Sequence, residues 1–309
     1  MVDRQVYWRR RLTAVGAVIA PVAIVAALMG NGGDEAAQRA ASQETKPPPS
    51  ELPRGGRSLF PEHRIIAFYG APQDPQLGGL GIGTPDSAAR RLKRQARPYD
   101  RTNRPVLPAL ELITVIANAD PGDDGMYRSR QEDRVIRRYL RAARRAKALL
   151  LLDIQPGRAD FFTETTRLRK WLKQPDVGLA LDPEWRVSDG EVPGQVIGHV
   201  GSREVNATSA WLAQLVARHQ LPEKLFVIHQ FTDDMVDDTK LKLRDGLAMV
   251  LNADGFGGRE VKVAKYHRFA RATRQFAPGF KLFYEEDVDL MPPRAVMRMK
   301  PRPALVVYE

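Results

Sequence analysis

The chain contains no cysteine. That excludes disulfides, thiolate nucleophiles and cysteine-ligated zinc or iron–sulfur centres. Histidine is scarce and scattered. His63, His199, His219, His229 and His267 form no HxH or HExxH spacing, so no metal site is expected from them and no cofactor is implied. Aromatics make up only 7%, and no nucleic-acid motif accompanies the basic residues, so no nucleic-acid partner is expected. The glycines of Leu77-Gly-Gly-Leu-Gly-Ile-Gly83 lack the GxGxxG spacing of a dinucleotide turn and read as a loop.

Hydrophobic residues are 43% of the 309 positions, enough for one large domain or two small ones. The 48 Lys and Arg outnumber the 37 Asp and Glu by 11. Most are arginines dispersed among alanines, which reads as a solvated basic surface suited to an anionic envelope polymer or lipid headgroups.

The N-terminus carries the clearest topological signal. Arg4, Arg9, Arg10 and Arg11 precede a run, residues 12–30, without any charge. As a helix it would reach roughly 28 Å, close to the ~30 Å hydrocarbon core of a bilayer. Basic residues before the run and Asp34 and Glu35 after it place the N-terminus in the cytoplasm and the remainder outside. A cleaved signal peptide is the rival reading, in which the protein is secreted. Residues 31–60, with a triproline at 47–49, read as a tether. The expected organisation is therefore a membrane anchor over 1–30, a disordered linker over 31–60 and one domain over 61–309.

From residue 61 the pattern alternates. Apolar runs start at Arg64, Val106, Ala148, Val177, Leu225, Leu247, Phe280 and Ala304. Helical stretches lie between them. Thr84-Pro-Asp-Ser87 marks one helix start, Ser129-Arg-Gln-Glu132 looks like a capping box, and Asp160 looks like an N-cap. Eight strand-like runs with intervening helices over about 245 residues predict an α/β fold, a (β/α)₈ TIM-type barrel. No final helix follows the eighth run.

Each run ends in polar residues: Tyr69; Glu111; Asp153 and Gln155; Asp182 and Glu184; His229 and Gln230; Asn252 and Asp254; Tyr284, Glu285 and Glu286; Tyr308 and Glu309. Such ends build the active face of a barrel. Lys281, an exception among apolar strand interiors, is expected at the outer start of the seventh run. The sharpest element is Leu179-Ala-Leu-Asp182-Pro-Glu184-Trp185. In a strand, i and i+2 share a face, so Asp182 and Glu184 should project together above Gly178 and Ala180. Adjacent carboxylates raise one another's pKa, and a carboxyl kept protonated can donate to a leaving group. Asp153 and Gln155 on the preceding run share that phase, and Trp185 and Tyr69 offer flat faces for a sugar ring.

A D-x-E pair ending the fourth strand, with Asp153 on the third, resembles the retaining glycoside hydrolases of chitinase and barrel-type muramidase kind. The resemblance implies Glu184 as general acid and Asp182 as its tuning partner. Glu285 is the candidate nucleophile, on the strand where barrel retaining enzymes often place it. Two departures stand out. Gly178-Leu-Ala-Leu181 lacks the further Asp of the chitinase motif, and Tyr69-Gly70 stands where muramidases carry an Asp. The strings LLLLDIQPGRADF, VGLALDPEW, VIHQFT and KLFYEED resemble, over most of 64–309, a group of exported bacterial proteins of unassigned activity.

The expected function is thus a membrane-anchored, extracytoplasmic glycoside hydrolase acting on envelope or extracellular glycan. Catalytic candidates are Glu184, Asp182 and Glu285. Substrate contacts are expected from Tyr69, Glu111, Asp153, Gln155, Trp185, His229, Gln230, Asn252, Asp254, Tyr284 and Tyr308. The alternatives are a carbohydrate-binding or scaffold barrel without catalysis, and a phosphodiesterase holding a hard cation with Glu111, Asp153, Asp182, Glu184 and Asp254.

Overall fold

The computed structural model describes residues 50–309. The expectations for the anchor at 12–30 and most of the tether fall outside that range. Among the described residues no helix is long and apolar enough to cross a membrane.

Eight parallel strands close into a barrel. They are β1 (Arg64–Gly70), β2 (Val106–Ala117), β4 (Leu149–Ile154), β5 (Val177–Leu181), β6 (Lys224–Gln230), β7 (Leu247–Ala253), β8 (Ala277–Leu282) and β9 (Leu305–Tyr308). Each pairs with the next, and β1 pairs with both β9 and β2, which seals the sheet. A short strand β3 (Arg128–Arg130) lies antiparallel on the far end of β2. Ser129 sits in β3 rather than capping a helix; the helix that follows starts at Asp133, with Glu132 as its cap. The arginines of β3 explain the difference. Arg128 Nε and Arg130 Nε donate to the buried Glu164 carboxylate at 3.0 and 2.7 Å, which ties this segment across to the next βα unit.

The outer layer holds α1 (Pro85–Ala96), α2 (Asp133–Ala146), α3 (Phe161–Arg167), α4 (Arg169–Leu172), α5 (Ser202–His219), α6 (Arg259–Ala272) and α7 (Pro293–Val296). Helix α1 starts as its sequence predicts. The Thr84 side chain accepts from Ser87 N at 3.2 Å, with Pro85 in the first turn, where its missing N–H costs nothing. Asp160 likewise caps α3, accepting from Thr163 N at 2.7 Å. The outer side of β9 is covered by aromatic rings. The Tyr308 and Tyr99 hydroxyls are 2.6 Å apart, and Tyr284 stacks on Tyr308 with ring centroids 5.4 Å apart.

Strand alternation divides the apolar residues into two cores. Ile66, Leu110, Leu150, Leu179, Phe226 and Val306 face the helices. Ile65, Leu107, Leu149, Leu151, Leu225 and Leu305 fill the barrel. Leu52 and Leu59, assigned to the tether by composition, belong to the inner core and are 3% and 0% exposed. Packed structure therefore begins before Pro61. Arg57 explains why: its side chain bonds the Gln220 and Leu221 carbonyls at 3.0 and 2.9 Å, while Leu59 N donates to the Glu223 carboxylate. These contacts hold a plug at the end of the barrel where β6 begins.

Candidate active site at the barrel mouth

The C-terminal ends of the strands converge on one polar layer. Tyr69, Glu111, Asp153, Asp182, His229, Asn252 and Lys281 are each no more than 1% exposed. Space for them comes from small residues beneath. A Cβ on Gly178 would lie 2.6 Å from the Leu225 carbonyl oxygen, and one on Gly279 would lie 2.6 Å from Asn252 Oδ1.

Tyr69 joins the two central aspartates. Its hydroxyl lies 3.2 Å from Asp182 Oδ2 and 3.5 Å from Asp153 Oδ1, and it accepts from Gln155 Nε2 at 2.9 Å. A register shift in β2 lets Thr114 Oγ1 donate to the Asp153 carbonyl at 2.7 Å, which fixes the base of that side chain. Burial, and then the neighbouring charge of Asp182, drive the Asp153 carboxyl well above the usual carboxylate range.

His229 sits between acids. Its Nδ1 is 2.8 Å from Asp254 Oδ2, and its Nε2 is 3.0 Å from Glu111 Oε1 and 3.8 Å from Asp153 Oδ2. Burial works against a charged ring, but hydrogen bonds to Asp254 and Glu111 outweigh it and hold its pKa well above the ordinary value. Asn252 Nδ2 lies 3.2 Å from His229 Nδ1. For Asp254, burial is overcome by Lys281 and His229, which keep its carboxyl below the usual range.

Lys281 lies inside the barrel, not at the outer start of its strand. Its Nζ is 3.0 Å from Asp254 Oδ2, 2.8 Å from Glu309 Oε2 and 3.9 Å from the centroid of the Tyr69 ring. The misplacement came from the strand's bounds. The apolar run expected from sequence starts at Phe280, yet β8 already spans Ala277–Leu282, so Lys281 stands near the end of the strand, and Gly279, Lys281 and Phe283 share the inner face. The same shift moves Tyr284 and Glu285 off the strand end. Both are exposed and line an outer cavity of about 580 Å³ with Phe68, Arg91 and Glu309. Glu285 therefore does not stand in the inner cluster as a partner for Glu184. Tyr308 also faces outward, onto Tyr99.

The D-x-E element departs from strand geometry after its first carboxylate. Strand β5 stops at Leu181, and Pro183–Trp185 form a single 3-10 turn. Proline has no N–H to continue the ladder, so the i, i+2 alternation ends there. Asp182 enters the barrel, while Glu184 stands in the turn above, 2% exposed, where its charge acts on Lys265. Burial pushes the Lys265 amine down to about 8, against the attraction of Asp254 and Glu184. Trp185 packs with Ala117, Ile197, Phe231 and Phe256 at the same end of the barrel, with its indole buried. Gln230 is buried beside this group, its Nε2 3.4 Å from the Thr232 carbonyl.

Among the expected residues, Tyr69, Asp153, Gln155 and Asp182 thus form one hydrogen-bonded group and Glu111, His229, Asn252 and Asp254 another, the two meeting at the 3.8 Å contact of His229 Nε2 with Asp153 Oδ2. Lys281 and Glu309 are additions to the second group. The lone charge in an apolar strand, in phase with Gly279, was the signal for Lys281.

No protein-family profile matches the chain, and no curated protein matches it. Among solved structures it is similar to the sialic acid aldolase of Ruminococcus gnavus. The catalytic-lysine mutant aligns at TM-score 0.41 with 10% identity, covering 82% of this chain and 69% of that one. The wild-type enzyme gives TM-score 0.40 with 9% identity, covering 81% and 68%. The HPPK-DHPS protein of Plasmodium falciparum with pteroate gives TM-score 0.36 with 9% identity, covering 80% and 45%.

Proposed function

We propose that this chain is a hydrolase of glycosidic linkages in which Glu184 is the general acid and Asp182 its tuning partner. The carrying observation is that both carboxyl groups leave the end of β5 and are buried, with Asp182 bonded by Tyr69 beside Asp153. Low-dielectric surroundings and neighbouring carboxylates are the conditions that keep one proton available near neutral pH. Glu285 has no part in this reading, so direct attack by a second carboxylate from β8 drops out of it. The net charge of +11 favours an anionic envelope glycan as substrate. The uncharged run 12–30 would hold the barrel outside the cytoplasm.

The burial of the whole layer favours a second reading, a barrel that binds carbohydrate without turning it over. One experiment separates the two. Glu184→Gln keeps the shape and removes the ionisable proton, so hydrolysis of envelope glycans should fall at least ~100-fold while binding persists. Equal turnover in the variant would remove Glu184 from the mechanism. Absence of turnover in the parent, with binding retained, would establish the second reading.

A further inference from the structure

We propose that Glu111, Asp153 and His229 form a binding site for a single divalent transition-metal ion, zinc or manganese. This goes beyond the glycosidase reading and does not depend on it. A His Nε2 and two carboxylate oxygens from these residues all lie within 4.8 Å of one another. His229 Nε2 is 3.0 Å from Glu111 Oε1 and 3.8 Å from Asp153 Oδ2. Ligand atoms around a tetrahedral ion at ~2.1 Å stand roughly 3.4 Å apart, so these three need to shift by only fractions of an ångström to about one.

Two further observations point to a ligand. Glu111 Oε2 and Asp153 Oδ2 are buried and have no hydrogen-bond partner, on side chains that are 0% exposed. A buried carboxyl oxygen without a hydrogen-bond partner is unfavourable on general grounds, and a bound cation offsets that cost. The second is the setting of His229. Its Nδ1 lies 2.8 Å from Asp254, the carboxylate–histidine arrangement that orients the ring, and an ion would take the place of the proton shared between Nε2 and Glu111 Oε1, which is released to solvent. Lys281 is held by Asp254 and Glu309. Lys262 is held by Asp287 at 2.8 Å. One imidazole with two carboxylates, and no thiolate, suits zinc or manganese better than calcium or magnesium. The phosphodiesterase set expected from sequence differs, since Asp254 serves as the partner of His229 and not as a direct ligand.

The test uses the full chain, stripped with chelator and dialysed, then titrated separately with zinc chloride, manganese chloride and magnesium chloride. We expect about one equivalent of zinc or manganese retained per chain by elemental analysis. The thermal midpoint should rise by roughly 5–10 °C at a hundredfold excess over the dissociation constant. Glu111→Gln and Asp153→Asn keep side-chain volume and should each lose that equivalent. The cobalt-loaded parent needs no variant to fold, and its visible absorption should be that of a low-coordinate nitrogen–oxygen shell, distinct from hydrated cobalt. No retained ion and no thermal shift would overturn the proposal. So would unchanged retention in both folded variants, or a cobalt spectrum equal to that of the hydrated ion.

Discussion

Two lysines are buried at opposite ends of the same barrel and are held in different ways. Lys224 begins β6, at the plugged end. Its Nζ donates to the carbonyls of Gln174 and Val177, each at 2.7 Å, and burial lowers its pKa to about 7. Lys281, at the mouth, lies between the carboxylates of Asp254 and Glu309. The lower end is an apolar core that tolerates one amine by giving it neutral acceptors. The upper end is organised by ionisable groups, with the carboxyl groups of Glu111, Asp153 and Asp182 gathered at 0% exposure around His229 and Tyr69. An apolar layer of equal burial would be easier to fold, because buried ion pairs rarely repay their desolvation. The mouth is therefore the region whose composition calls for a functional reason.

The largest expected effect removes the cation of the upper layer. Lys281→Met leaves Asp254 and Glu309 buried without their common partner and removes the contact with the Tyr69 ring. Breaking such a pair should cost about 3–5 kcal/mol, read by denaturant unfolding. A loss below about 1 kcal/mol would mean that the two carboxylates find other partners and that the contrast between the two ends is overstated.

The lower lysine sharpens the contrast through pH. The folded pKa of Lys224 lies near 7 against an ordinary value of 10.5. Below about pH 7 the amine is charged in both folded and unfolded states, and the cost of burying it is fully present. Between about pH 7 and 10.5 the unfolded chain holds a proton that the folded protein has released, so this residue makes stability rise with pH. Lys224→Met lacks that contribution. The difference in unfolding free energy between variant and parent should shift in the parent's favour from about pH 7 to pH 10, measured by urea unfolding at each pH. A pH-independent difference would show that Lys224 does not titrate in that window.

Much of the barrel was legible because its signals are local. Apolar runs punctuated by caps such as Thr84 and Asp160 located the strands and helices, and the polar ends of the runs located the mouth. The errors came where a local rule met a tertiary one. Pro183 ended the alternation that linked Asp182 to Glu184. β8 begins at Ala277, ahead of the apolar run at Phe280, which brings Lys281 into the barrel and leaves Glu285 beyond the strand end. Leu52 and Leu59 lie in a proline- and glycine-rich stretch whose packing depends on Arg57 and Glu223 reaching each other across the chain. The gathering of His229 with Glu111 and Asp153 was not readable as a metal spacing, because the three come from strands far apart in sequence and meet only when the sheet closes.

The central claim is that the mouth is a site built at the expense of stability, and Asp182→Asn tests it most directly. Asp182 adds a like charge beside Asp153, while asparagine keeps the shape and an oxygen that accepts from Tyr69. Unfolding free energies of parent and variant should be compared at neutral pH with chelator present. The account predicts a gain of about 1 kcal/mol in the variant, as when active-site charge is relaxed. A loss of about 2 kcal/mol or more, of the size expected when a satisfied buried network is broken, would contradict it and make the polar layer part of the scaffold.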